Sequence, residues 1–172
     1  DKTLEDASRL SSTLTKPLGY YGQDQPTGAL WRPVVSLSFF ADTQIWGKDR
    51  PWGYHLTNVL IHSTVGALVF LFLLRFTSSV PLAMVGALFY ALHPVQSDAI
   101  ASVNGRGTPL SGLFVMLAFL LYPKRIWLAG IALLLAMYSK ETAVPFIAAL
   151  FVYDRLLDPK SPISFQTLFP KF

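Results

Sequence analysis

The longest apolar stretch of the chain runs from Tyr54 to Phe76. As a helix it extends roughly 34 Å, enough to cross a bilayer core. Its interior from Ser63 to Leu74 carries no charge. Four shorter apolar runs follow: Val80–Leu92, Thr108–Tyr122, Ile126–Tyr138 and Thr142–Tyr153. Each is shorter than the ~20 residues of an ordinary spanning helix. Yet each is apolar on every face, without the polar stripe of a surface helix in water. Flanking residues can lengthen such runs, and a water-filled funnel inside the protein can shorten the path they must cover. The pattern predicts an all-α integral membrane protein with about five transmembrane helices in a bundle over residues 54–158. One long span beside the core helices of a soluble domain is the competing reading.

Residues 1–53 contain no spanning segment and are expected to form an extracytoplasmic loop with interfacial amphipathic helices. Trp31 to Trp46 is the clearer of two such helices. Pro33 suits its first turn and Gly47 its stop. Val34, Leu37, Ala41 and Ile45 recur at helical spacing on one face. Trp31, Phe39, Phe40, Trp46 and Trp52 are aromatics of the kind found at headgroup level. Leu4, Ala7, Leu10 and Leu14 outline a second amphipathic helix. Residues 159–172 read as a cytoplasmic tail or linker. The chain opens without Met, in a polar loop whose orientation requires a preceding helix, so it reads as a piece of a longer protein.

Charge sharpens this picture. Only 14% of the 172 residues are charged, against 52% hydrophobic; soluble domains carry about 25% charged residues. A disordered chain is excluded, and the absence of cysteine excludes disulfides and thiolate metal sites. The first 50 residues hold six bases and six acids, so the net charge of +4 lies in the apolar part. There the bases are single or paired between apolar runs, not clustered on a polar face, which argues against nucleic acid as a partner. With Tyr54 placed outside, the inner loops carry Arg75, Lys124, Arg125, Arg155 and Lys160, and the outer loops only Arg106 and Lys140. That orientation obeys the positive-inside rule.

On this topology the unexplained polar residues gather at the outer end. His55, Asn58 and His62 share a face of the long helix. His93 closes the next helix before Pro94; Gln96, Asp98, Asn104 and Arg106 lie in the following connection; Lys140 and Glu141 follow the fourth run. Ionisable groups near membrane depth are candidates for function. Arg and Lys with His nearby suit an anionic group, and a basic pocket in a membrane suits a lipid phosphate. Structural roles compete: bundle histidines for His55 and His62, a helix end for His93, interhelical glue for Asn58, a Lys140–Glu141 pair and an Asp98–Arg106 pair. Three His, no Cys and no His-Glu-x-x-His spacing give no support to a metal site.

Six stretches resemble the membrane part of GT-C glycosyltransferases that use polyprenyl-phosphate sugars, in particular the transmembrane-and-TPR O-mannosyltransferases and their bacterial homologues. They are Trp31-Arg-Pro-Val-Val-Ser-Leu-Ser-Phe39, Gly53-Tyr-His-Leu-Thr-Asn58 with His62, Ala91-Leu-His-Pro-Val95, Asp98-Ala-Ile-Ala101, Gly105-Arg106 and Ser139-Lys-Glu-Thr-Ala143. Their order and spacing match over roughly residues 30–154. The resemblance implies transfer of a sugar from a lipid-phosphate donor to an acceptor hydroxyl on the extracytoplasmic side, with inversion. An acidic residue acts as general base and cations face the leaving phosphate. It implies no metal or other cofactor beyond that donor. Asp1, at the expected place of the catalytic acid, and Asp98 are the catalytic candidates; Arg106, Lys140 and His93 the donor-phosphate ligands; His55, Asn58, His62, Glu141 and Arg32 the pocket lining.

The chain departs from the family pattern in four places. His-Pro-x-His-x-Glu reads His93-Pro-Val-Gln-Ser-Asp98, Gly-Arg-x-Asp reads Gly105-Arg-Gly-Thr108, Asp42 replaces the Asn usual after Leu-Ser-Phe, and later helices and TPR repeats are missing. A non-catalytic transmembrane subunit, packing the same scaffold against other membrane protein subunits, is the alternative to an enzyme. A small transporter module ranks third. The bacterial plasma membrane is the expected location, with the endoplasmic reticulum as alternative.

Overall fold

In a computed structural model of the protein, the described residues run from 31 to 157. The side chains at 98 and 155–157 lie outside the description, as does the expected helix through Leu4 and Leu14. Every regular element among the described residues is helical. In order they are α1 (Pro33–Trp46), α2 (Pro51–Thr77), α3 (Val80–Leu92), α4 (Val95–Ala101), a 3-10 turn (Val103–Arg106), α5 (Gly107–Leu121), α6 (Ile126–Ser139), a second 3-10 turn (Glu141–Ala143) and α7 (Phe146–Leu157).

Proline opens three of these helices. Pro33 and Pro51 stand in the first turns of α1 and α2, and Pro81 in that of α3, where the missing N–H costs nothing. Gly47 closes α1 with φ +83°, and its N–H bonds Thr43 O at 3.0 Å. Ser78 closes α2 in the left-handed conformation, donating to Leu74 O at 2.9 Å, with Arg75 in the last turn near the negative helix end. The chain bends by 58° between α3 and α4. The bend sits at His93-Pro94, where the residue before proline is driven out of the helical region.

Helix α2 is the organiser. It packs along α3 and α5, and α5 packs most extensively along α6. The α5–α6 seam is built from small residues: Ala129, Ala132 and Ala136 of α6 lie on one stripe against Val115, Ala118 and Phe119. Small residues let two helix backbones approach closely, which matters where lipid supplies no hydrophobic drive. At the far end from the start of α2, Phe72, Phe76, Phe119, Tyr122 and Tyr153 form an aromatic cluster joining α2, α5 and α7, with centroids 5.0–6.2 Å apart.

The helix positions follow the apolar runs closely, but the expectation of about five spans is not met. Among the described residues only α2, with 27 residues or roughly 40 Å, is long and apolar enough to cross a membrane; α3 with α4 qualifies only if the bent pair counts as one broken span. Helices α3, α5, α6 and α7 have 13, 15, 14 and 12 residues, roughly 18–23 Å each, against a ~30 Å hydrocarbon core. The expected lengthening through flanking residues does not occur, because Pro94 and the two 3-10 turns spend those residues on breaks.

The burial pattern is inverted relative to a soluble bundle. The buried stripe of α2 is Gly53, Asn58, His62 and Val65, while Leu56, Val59, Leu60 and Leu71 face outward. On α1 the buried face is Val35, Ser36, Phe39 and Asp42. The apolar face expected to lie in the interface is the outer one: Leu37, Ala41 and Ile45 are exposed and Val34 is half-buried. Asp42 decides the rotation, because its charge requires a partner inside.

Gly105 fixes how α4 meets the turn that carries Arg106. A Cβ there would lie 2.6–2.9 Å from backbone atoms of Ala99, and backbone cannot step aside as a side-chain tip can. Gly105→Ala should therefore destabilise the fold by about 1–3 kcal/mol, read as a lowered midpoint of thermal unfolding in detergent.

Candidate functional site

The first turns of α2 and α5, the C-terminal ends of α3 and α6, and the 3-10 turn at 103–106 meet at one end of the bundle. Two layers of polar side chains lie there. The inner layer centres on Arg106, whose side chain is fully buried. Its Nε donates to Asn58 Oδ1 at 2.6 Å, Nη1 to Ser38 Oγ at 3.4 Å and Nη2 to Tyr54 O at 2.9 Å. Nη2 also lies 2.5 Å from Asp42 Oδ2, a charge contact off hydrogen-bond alignment. The guanidinium carbon sits 4.3 Å from the Phe39 ring centroid, a cation–π contact in a desolvated place.

The partners are themselves held. Asn58 Nδ2 donates to Ser102 O at 3.1 Å. Thr57 donates to Asp42 Oδ1 at 2.8 Å and receives Trp46 Nε1–H at 3.3 Å. Tyr54 shares a 3.0 Å hydrogen bond with Thr43. Burial pushes the Arg106 guanidinium down from its ordinary value, and Asp42 opposes that shift. An arginine remains cationic even so, and Asp42 is its counter-charge.

The outer layer joins α1 to the end of α6. Arg32 forms a fork on Glu141, with Nη2 2.8 Å from Oε1 and Nε 3.2 Å from Oε2. This hydrogen bonding holds the Glu141 carboxyl below the usual carboxylate range. Lys140 Nζ donates to Thr108 Oγ1 at 2.7 Å, and Lys140 is half-buried. It makes no ion pair among the described residues, so two of its three donors stay available.

The predicted site residues thus divide. Arg106, Asn58, Lys140, Glu141 and Arg32 come together, with the two layers joined through residues 106–108. Asn58 acts as interhelical glue. Arg106 is not an open phosphate ligand: its donors are engaged and no solvent reaches it. Lys140 and Glu141 do not pair with each other; each is taken by another element. His62 is buried, with Nε2 3.1 Å from Ala91 O and its ring stacked on Tyr90. Since a carbonyl only accepts, Nε2 carries the proton there, and Nδ1 is buried without a partner. His55 is half-buried and takes no part in either layer. His93 is exposed, accepts Val95 N–H at Nδ1 (3.2 Å) and sets its ring edge against Phe89. It caps the α3–α4 break and does not reach Lys140. Asp1 lies outside the described residues. Asp98 lies on α4, with its side chain outside the description. No three His, Asp or Glu side chains converge as metal ligands among the described residues.

Asp42 was not singled out as a site residue from the sequence. Its signal is an acid at helical spacing from Val35 and Phe39, on one face of the helix.

Comparison with known proteins decides the family. Protein O-mannosyl-transferase tmtc2 of Xenopus laevis is 34% identical over 137 residues, covering 72% of this chain. The chain is a homologue of the protein O-mannosyl-transferases. Tmtc2 of Drosophila melanogaster matches at 32% over 145 residues, or 76% of the chain, and TMTC4 of Homo sapiens at 36% over 107 residues, or 55%. The chain spans only 14–16% of the length of these relatives. No family model matches, and no solved structure matches.

The inner layer should behave as a buried ion pair. Arg106→Met alone should cost about 3–5 kcal/mol, because it strands the Asp42 charge; Arg106→Met with Asp42→Asn should cost distinctly less. Chemical unfolding in detergent compares the two. The outer pair is exposed at Glu141 and contributes less than about 1 kcal/mol. Its carboxyl is lowered on folding, so that stability is present at neutral pH and is lost as pH falls through the lowered value. Glu141→Gln should remove this acid-limb loss in a pH series of melting temperatures.

Proposed function

We propose that the chain is part of a membrane O-mannosyltransferase in which Lys140 faces the phosphate of a lipid-linked sugar donor. The homology to proteins named O-mannosyl-transferases supports the reaction class. Lys140 is the observation that carries the donor assignment. Its ammonium is anchored on Thr108 yet not neutralised, beside two arginines whose charges are already answered by Glu141 and Asp42. A cation so placed stabilises negative charge developing on a leaving phosphate. The donor is taken to be a polyprenyl-phosphate sugar, entering from the lipid along the exposed apolar sides of α2 and α3.

The outer end of the bundle is proposed to lie on the extracytoplasmic side, as the loop charges favour. The animal relatives favour the endoplasmic reticulum over the bacterial plasma membrane. The helices too short to span alone are read as completed by neighbours in the longer protein. The catalytic base remains assigned to Asp1 or Asp98. The non-catalytic alternative draws on the missing carboxylate at Thr108, where the related pattern has Asp.

Lys140→Ala in the full-length protein should lower mannosyl transfer from a polyprenyl-phosphate mannose by about 100-fold, in detergent or reconstituted membranes. Wild-type turnover in that variant would exclude Lys140 as the phosphate-facing group. Full-length protein without transfer to any hydroxyl acceptor, while still binding the donor, would favour the non-catalytic subunit.

A further inference from the structure

We infer that Asp42 is a positioning residue for Lys140, acting through the short segment 106–108. This inference rests on the phosphate-facing role proposed for Lys140. The connection is continuous in the geometry. Asp42 Oδ2 meets Arg106 Nη2 at 2.5 Å, and Thr57 holds the other carboxylate oxygen at 2.8 Å. Arg106 is the last residue of the 3-10 turn, and α5 starts at the next residue. Gly107 lies so close to the end of α6 that a Cβ would come within 3.0 Å of Ser139 O and 3.6 Å of Arg32 Nη1. Thr108 then accepts the Lys140 hydrogen bond at 2.7 Å. Residues 106–108 are therefore wedged between α1 and α2 on one side and the end of α6 on the other.

The charge of Asp42 matters, beyond its shape. Ser38, Tyr54 and Asn58 offer Arg106 only neutral acceptors. A fully buried guanidinium without a counter-anion carries a large desolvation cost and shifts toward water or another anion. Any such shift carries the start of α5 with it, and Thr108 moves relative to Lys140. Displacements of about 1 Å far from the chemistry cost on the order of 100-fold in rate. Asp42 touches neither sugar nor phosphate on this account; it holds the acceptor that holds the lysine.

A double-mutant cycle in the full-length protein tests this. Kinetics with polyprenyl-phosphate mannose as donor are measured for wild type, Asp42→Asn, Lys140→Ala and the double variant. Asp42→Asn should lower kcat/KM for the donor by roughly ten- to 100-fold and leave the acceptor KM unmoved. In the Lys140→Ala background the same substitution should have almost no further effect. An equal loss in both backgrounds, or no loss in either, overturns the inference. If Lys140→Ala itself leaves kcat/KM unchanged, the phosphate-facing role fails and this inference falls with it, a result distinct from the additive one. Where Asp42→Asn does not yield folded protein, Thr57→Val serves instead. It removes the hydroxyl that fixes Asp42 Oδ1 and accepts the Trp46 indole N–H while keeping the Asp42 charge, and it should give a smaller loss that likewise vanishes without Lys140.

Discussion

One buried charge pair sets the geometry of the outer end of this bundle. Arg106 has no exposure and Asp42 almost none. Two ions in that position are costly unless each finds the other and their remaining polar atoms find partners. The solution draws in Ser38 and Phe39 of α1 and Tyr54 and Asn58 of α2 around a single guanidinium. Three segments distant in sequence are thereby fixed to one another. The rotation of α1, the exit of the chain from α4 and the start of α5 all follow from satisfying that one group. A hydrophobic seam such as α5–α6 tolerates sliding by small amounts; a multidentate arginine tolerates very little.

This explains what was legible in the sequence and what was not. Apolar runs announce helices because lipid-facing or core-facing residues must be continuous, and Val80–Leu92 is reproduced residue for residue. Pro33 and Gly47 announce the ends of α1 because their backbone chemistry is local. The face that α1 buries was not legible from periodicity. Leu37 and Ile45 make an apolar stripe that points outward, as an interfacial helix requires; what periodicity does not show is that the opposite face buries Asp42, whose pairing outweighs the burial of a few apolar side chains. In a membrane environment an outward apolar stripe carries no cost. The usual rule that the apolar face turns inward therefore loses its force.

The site shows the same division. Gathering the polar residues at one end was readable, since α2, α3, α5 and α6 alternate in direction and only alternate loops are shared. The role of each residue was not readable, because role depends on partners. Arg106 looked like the strongest anion ligand by chemistry, and its burial makes it a structural centre instead. Lys140 is a phosphate-ligand candidate from the sequence too, but it stands next to an acid that could cancel it. Arg32, 109 positions away in sequence, takes that acid, and no pattern along the chain foretells it.

Pairing also decides which charge is left for a ligand. Arg106 is neutralised by Asp42 inside the bundle. Lys140 makes no ion pair among the described residues. A bundle that cancels its deepest charge with Asp42 and its outer arginine with Glu141 has had acids at hand for both. Among the described residues the lysine between them is hydrogen-bonded to a neutral threonine, an arrangement that keeps a positive charge in place without satisfying it.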